Sequence, residues 1–209
     1  MKVHTLELGH MGNCTYIVQN AKEAIIIDPS WDMPQIYDFL QELNLSPVAV
    51  LFTHGHYDHC TNSAELLKRY NIKGYIEQND LALSGLPQDL LITFEGDFKQ
   101  TLAGMEVSFM HTPGHTKGSC CIAIGNAVFT GDTLFPGAVG RTDLPGSSAR
   151  ELQNSLEKLA HGLPPSTEVY SGHAYGPQGN SFTTIGYEIK NNPFVKLALK
   201  DPHYFDDMI

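Results

Sequence analysis

The sequence predicts a mixed α/β fold, and three observations predict it. Runs such as Ala24-Ile25-Ile26-Ile27 and Val48-Ala49-Val50-Leu51-Phe52 are continuously apolar and β-branched, the character of strands buried on both faces. Stretches with helical spacing of apolar residues lie between such runs. The chain also divides into two halves, each running strands then helices and each closing on loops rich in His and Asp, with no linker-like segment between them. At 209 residues and 42% hydrophobic content there is enough apolar material for one sizeable core and too little for two, so residues 1–209 are expected to form one domain.

Residues 3–8, 15–18 and 24–27 read as three antiparallel strands separated by Gly-rich and polar turns. Asp28-Pro29 ends the third. Residues 31–43 place Trp31, Ile36, Phe39, Leu40 and Leu43 on one face behind an Asp32-Met33-Pro34 start signal, which predicts an amphipathic helix covering the sheet. A buried strand at 48–52 follows, then a polar loop and a helix at 60–70. Residues 72–76 read as a short strand, 77–83 as a short helix and 84–96 as irregular. A hairpin is expected at 99–102 and 105–110 around Ala103-Gly104, and another at 119–124 and 127–130 around Gly125-Asn126. Ser147 or Ser148 caps a helix to about residue 160, Leu163-Pro164-Pro165 breaks the chain, and 168–170 is a strand. A last helix from 183 is expected to stop at Pro193.

Charge and cysteine usage exclude several classes. The formal net charge is −10, from 13 basic and 23 acidic residues with no basic cluster, which would repel a phosphate backbone, so no nucleic-acid partner is expected. The chain opens on strand-like residues without an apolar signal segment and lacks any run of about 18 apolar residues, so no membrane partner and a cytoplasmic location are expected. Cys14, Cys60, Cys120 and Cys121 have no zinc-knuckle or redox spacing and read as reduced, buried thiols, with Cys60 set apart because it directly follows His59.

Thr53-His54-Gly55-His56-Tyr57-Asp58-His59 is the stretch with the most chemistry. Four potential metal ligands follow a buried strand. Alternate side chains of an extended segment point the same way, so His54 and His56 can grip one cation, whereas Asp58 and His59 at the turn into the helix must point elsewhere. Two cations are expected from that split. His111-Thr112-Pro113-Gly114-His115, Gly131-Asp132-Thr133-Leu134-Phe135 and Gly172-His173-Ala174-Tyr175 each follow a predicted strand in the same way.

The spacing His-x-His-x-Asp-His, with these three later motifs, resembles the metallo-β-lactamase superfamily over nearly the whole chain. The resemblance implies a four-layer αβ/βα sandwich with two mixed sheets. It further implies one metal on His54, His56 and His115, a second on Asp58, His59 and His173, and a bridging Asp132. Asp132 and Asp58 are then the catalytic carboxylates, and Asp28 supports the site from behind. Ligation by imidazole and carboxylate suits two divalent ions, zinc foremost, with iron or manganese also compatible. Such a pair can share a water and lower its pKa from about 15.7 towards 7, making a nucleophile without a Ser or Cys. His111 is expected to be a structural hydrogen bonder.

Within that superfamily the chain looks most like the glyoxalase II (hydroxyacylglutathione hydrolase) branch, through Gly131-Asp132-Thr133-Leu134-Phe135, Gly140-Arg141-Thr142-Asp143 and Gly172-His173-Ala174-Tyr175. The implied substrate is a small-molecule acyl-thioester such as S-D-lactoylglutathione, with Arg141 and Tyr175 binding it. Two departures weaken glutathione specificity. Asp143 stands where that branch has a tyrosine, and only 36 residues follow His173, too few for its helical C-terminal domain. An ion pair to Asp143 that only shapes the loop is the plainer role for Arg141. The main rival is a persulfide dioxygenase with one iron on the counterparts of His54, His115 and Asp132. A lactonase comes third, because an alkoxide would need a proton donor, a role open to Tyr57 or Tyr175. The oligomeric state is not legible.

Overall fold

In the computed structural model, residues 1–200 are described. The first half begins with strands β1 (Lys2–Leu8), β2 (Asn13–Asn20) and β3 (Glu23–Ile27). They are antiparallel, with Tyr16 opposite both Thr5 and Ile27. Helix α1 (Met33–Glu42) starts on an Asp32 cap whose carboxylate accepts from the Gln35 backbone N–H at 3.2 Å, with proline in its first turn. Strand β4 (Ser46–Leu51) then adds parallel to β3. It is followed by the short helix α2 (Tyr57–Cys60), helix α3 (Ser63–Tyr70), strand β5 (Gly74–Glu77), the one-turn helix α4 (Leu81–Ser84) and strand β6 (Leu91–Phe94). The sheet order is β1-β2-β3-β4-β5-β6, parallel from β3 onward.

The second half opens with the meander β7 (Phe98–Leu102), β8 (Met105–His111), β9 (Cys120–Ile124) and β10 (Ala127–Gly131). A two-stranded ribbon, β11 (Leu134–Phe135) and β12 (Ala138–Val139), precedes helix α5 (Ala149–Gly162). Strand β13 (Glu168–Ser171) returns parallel to β10, and β14 (Phe182–Thr184) closes that edge before α6 (Ile185–Asn191) and α7 (Pro193–Ala198). The order is β14-β13-β10-β9-β8-β7.

Three apolar clusters separate four layers. Ile25, Ile27 and Leu51 of the first sheet meet Phe109, Ile122 and Phe129 of the second between the sheets. Ile26, Val50 and Phe52 pack outward against Ile36 and Leu40 of α1 and Leu66 and Leu67 of α3. Val128 and Val169 pack outward against Leu152 and Leu156 of α5 and Ile185 of α6. Strands covered on both faces explain the unbroken apolar runs of β3 and β4. This is the αβ/βα arrangement of two mixed sheets that the sequence implied. Among the described residues no helix is long and apolar enough to cross a membrane.

Local departures from expectation have identifiable causes. The helix expected at 60–70 is two helices, because Asn62 adopts the left-handed conformation (φ 66°), which asparagine tolerates, and its side-chain amide donates to the Trp31 carbonyl. The break leaves Asp58 and His59 on a helical stub of their own, α2. The span 84–96, expected to be irregular, contains β6, whose pairing with β5 is a tertiary choice that four residues do not signal locally. Neither the β11–β12 ribbon nor β14 was expected. Pro193 does stop α6, yet it also starts α7, since the Asn192 side chain caps the Phe194 and Val195 N–H groups.

Candidate metal centre

The polar residues converge where strands of the two sheets end side by side. Thr53, His54 and His56 leave the end of β4, His115 lies beyond β8, Asp132 directly follows β10 and His173 follows β13, while α2 carries Asp58 and His59. Extended backbone at His56 (ψ 146°) gives way to α2 at Tyr57, and this change of direction separates the His54/His56 pair from the Asp58/His59 pair. His54, His56 and His115 form one cluster and Asp58, His59 and His173 another. Asp132 faces both. Its Oδ2 is 3.4 Å from His115 Nε2 and 3.4 Å from His173 Nε2, and its Oδ1 is 3.4 Å from His59 Nε2.

Geometry and chemistry both fit cations at the centre. His115 Nε2 lies 3.0 Å from His56 Nδ1, and His59 Nε2 lies 3.2 Å from His173 Nε2. Donors bound tetrahedrally at roughly 2.0–2.1 Å stand about 3.3 Å apart, so these nitrogens sit at ligand-to-ligand spacing. His54 Nε2 and Asp132 Oδ1 are buried without any hydrogen-bond partner, a costly state that a bound cation would relieve. The donors are nitrogen and carboxylate oxygen, as zinc, iron and manganese accept. All seven expected ligands are therefore brought together.

The rings of His59, His115 and His173 are held from behind. Asp28, at φ 48°, accepts from the Thr53 N–H at 2.8 Å, the Thr53 hydroxyl at 2.5 Å and His59 Nδ1 at 3.0 Å, which confirms its supporting position. His173 Nδ1 contacts the Met11 carbonyl at 3.0 Å, and His115 Nδ1 the Arg141 carbonyl at 2.9 Å. Asn13 Nδ2 donates to Asp58 Oδ2 at 3.0 Å while its own oxygen accepts from Trp31 Nε1 at 2.8 Å. Sequence reasoning missed Asn13 and Met11, which it read as part of a connecting turn, and no local pattern marks them. His111 Nε2 contacts the Lys117 carbonyl at 2.9 Å, the structural role expected for it. The Cys60 thiol is directed at the His54 carbonyl, and all four cysteines are free and buried.

The electrostatics are those of a place built for positive charge. Burial opposes a proton on His173, but its hydrogen bonds to Asp132 and Asp58 outweigh this and push its pKa up to about 9. Burial likewise opposes charge on His59, and the Asp132 and Asp28 carboxylates raise its pKa well above the usual range. Asp58 is held down to about 2: burial resists ionisation, and the His173 hydrogen bond and His59 charge overcome it. His54, buried among other imidazoles, is held well below its ordinary value. Ligation needs the neutral imidazole, so a cation binding here displaces the proton that His173 holds. Zinc affinity, measured by chelator competition, should therefore rise with pH between about 6 and 9. In the metal-free chain the sign is opposite, because a raised histidine pKa stabilises below 6.5 and that contribution is lost as pH climbs through about 9.

The cluster floors a cavity of about 520 Å³, walled by Met11, Tyr57, Phe135, Leu144 and Tyr175. Tyr175 stacks on His173 (centroids 4.5 Å apart, rings 7° from parallel) and also contacts Phe135. Arg141 reaches the same cavity, yet its guanidinium is paired in a two-point contact with Asp143 (Nε to Oδ1 2.6 Å, Nη2 to Oδ2 2.7 Å) at the exposed surface.

Comparison with known proteins agrees with this geometry. The family model described as the metallo-beta-lactamase superfamily matches residues 8–173. The chain is 31% identical to the "Probable polyketide biosynthesis zinc-dependent hydrolase BaeB" of Bacillus velezensis, over 96% of this chain and 90% of that protein. The crystal structure of ETHE1 from Myxococcus xanthus superposes with a TM-score of 0.87 at 28% identity, covering 100% of this chain and 89% of that one. TTHA1623, solved in a di-iron-bound form, gives a TM-score of 0.78 at 34% identity over 91% of this chain and 99% of its own. Zinc in one relative's name and iron in another's structure support a divalent-metal site here without choosing the metal or the number. From the match over residues 8–173 and the histidine and aspartate cluster at the sheet ends, the chain belongs to the metallo-β-lactamase superfamily.

Proposed function

We propose that this metal-dependent hydrolase cleaves an acyl-thioester, as in the glyoxalase II branch, with His54, His56 and His115 holding one divalent cation, Asp58, His59 and His173 a second, and Asp132 between them. The observation that carries the reading is the cavity lining. Among the described residues its acids are Asp58 and Asp132, both turned into the cluster as acceptors, and the Tyr57 and Tyr175 phenols, of which Tyr175 is made a weaker acid by burial, so no strong proton donor faces a leaving group. A thiol with a pKa of about 8.5 departs as thiolate without that help, whereas an alkoxide or amine needs a proton in the transition state. When bound, the cations supply Lewis acidity and an acidified water.

The chain's own residues perform the remaining work. Asp132 and the five imidazoles fix where the reacting carbonyl must lie, and Asn13 and Asp28 keep Asp58 and His59 from turning away. Met11, Phe135 and Leu144 present apolar surface to the acyl group and limit water around it. The stacked Tyr175 ring forms the wall beside His173, with its hydroxyl available to the thiol side. Steady-state rates of the metal-loaded protein on S-D-lactoylglutathione, on a neutral acyl-thioester and on matched oxygen esters test the reading. Turnover of thioesters in preference to oxygen esters is expected, and no thioester turnover with full metal occupancy would remove it.

Arg141 is assigned the anionic end of the substrate, for which its guanidinium must exchange Asp143 for a substrate carboxylate. Arg141→Ala should then lower kcat/KM on a glutathione thioester roughly ten- to a hundredfold, mainly through KM, and leave the neutral thioester nearly unchanged. Equal losses on both substrates would mean that the pair only shapes the loop. The likeness to ETHE1 favours a second reading, a mononuclear-iron persulfide dioxygenase. One tightly held iron per chain with oxygen uptake on glutathione persulfide would decide for it.

A further inference from the structure

We infer that Asp80 is a positioning residue for the first cluster, its buried carboxylate setting the distance between the loop that carries His54 and His56 and the loop that carries His115. Asp80 sits in the turn between β5 and α4, outside the cluster, and is 1% exposed. Its Oδ2 accepts from the Gly55 N–H at 2.7 Å and the Thr116 hydroxyl at 2.6 Å, and its Oδ1 from the Gly118 N–H at 2.8 Å. Gly55 lies between His54 and His56, and Thr116 directly follows His115. One side chain thus grips both ligand loops within a residue of their ligands.

The two glycines record how close this approach is. A Cβ at Gly55 would stand 2.6 Å from the Asp80 carbonyl oxygen, and one at Gly118 would stand 2.7 Å from Asp80 Cβ. No side chain fits between Asp80 and either loop. A buried carboxylate taking three donors and no cation is a costly group to retain for packing alone.

His56 is the ligand that needs such a clamp. His59, His115 and His173 each have the ring nitrogen opposite the cluster fixed by a carboxylate or carbonyl, and His54 Nδ1 lies 3.1 Å from the Thr53 hydroxyl. Among the described residues, His56 Nε2 has no such partner, and its Nδ1 faces His115 Nε2 at 3.0 Å. Its direction therefore depends on backbone placement, which the Gly55-to-Asp80 hydrogen bond controls. Behind this point the Cys120 N–H donates to the Thr53 carbonyl at 2.8 Å, so the sheets stay joined without Asp80.

Zinc titration against a chromophoric chelator tests the inference without any substrate, and so stands apart from the thioester reading. Asp80→Asn keeps the shape but has one oxygen where three donors converge on two, so its amide N–H must oppose another donor. Thr116→Val removes a single donor and leaves the carboxylate in place. His173→Ala identifies which binding step belongs to the second cluster. The expected result is a roughly ten- to a hundredfold weaker first-cluster step in Asp80→Asn, a smaller loss at the same step in Thr116→Val, and the other step within about twofold of wild type. Equal weakening of both steps, or none in either variant, would overturn the assignment. Should Asp80→Asn fail to fold, Thr116→Val decides by itself, and an unchanged first step there overturns it.

Discussion

Asp132→Ala should leave the protein without stable metal at either cluster and reduce kcat/KM by more than about a thousandfold, beyond the loss from removing one electrostatic contact to a transition state. The reason lies in its position. Each of its two oxygens faces an imidazole of the second cluster at 3.4 Å, and Oδ2 also faces His115 of the first. Without it the imidazoles of both groups lose the anion that offsets cationic charge in a buried place, and each cluster keeps only its own three donors. His173→Ala provides the contrast, since it should empty the second cluster while His54, His56 and His115 retain their ion. Metal content by elemental analysis after dialysis, alongside thioester kinetics, checks both. Two ions retained by Asp132→Ala would refute the bridge, and full occupancy in His173→Ala would refute its place in the second cluster.

Gly172→Ala should be nearly as damaging although it removes no ligand. A Cβ at Gly172 would fall 2.3 Å from Asp132 Oδ1, 2.8 Å from His59 Cε1 and 2.9 Å from the Gly131 carbonyl carbon. The first two contacts are the carboxylate that faces both clusters and a ring of the second cluster, and the third is backbone that cannot swing aside. Overpacking of this kind costs about 1–3 kcal/mol of stability. A displacement of the reacting groups by roughly 1 Å costs on the order of a hundredfold in rate. The variant should therefore fold with a lowered Tm and show a hundredfold or greater loss in kcat/KM, with weakened metal binding. Thermal melts with and without zinc separate the two effects, because a purely structural defect would lower the Tm while leaving zinc stoichiometry and rate per folded molecule intact.

Much of the site was legible because its candidate ligands are encoded locally. Four of them lie within six positions after the apolar run of β4, and the split between His54/His56 and Asp58/His59 follows from side-chain direction on an extended segment turning into a helix. His115, Asp132 and His173 also follow strands, where the fold gathers loop residues from several strand ends. The strands buried on both faces were legible for the same kind of reason, since unbroken Ile and Val runs need apolar cover on each side.

Tertiary structure alone decided what supports and shapes that site. The Asn62 break, the β6 edge and the β11–β12 ribbon depend on pairing and packing with distant segments that short local patterns do not specify. The groups that orient the ligands lie far from them in the chain: Asn13 is 45 residues from Asp58, Met11 is 162 from His173, and Asp80 is 25 from Gly55 and 36 from Thr116. Two of the orienting groups, the Met11 and Arg141 carbonyls, are backbone atoms that every residue possesses. Sequence by itself determined the donors and the order in which strands deliver them, because those depend on residue type and local spacing. Only folding decided their final geometry, because a hydrogen bond between remote segments becomes specific once the sheets have brought both ends together.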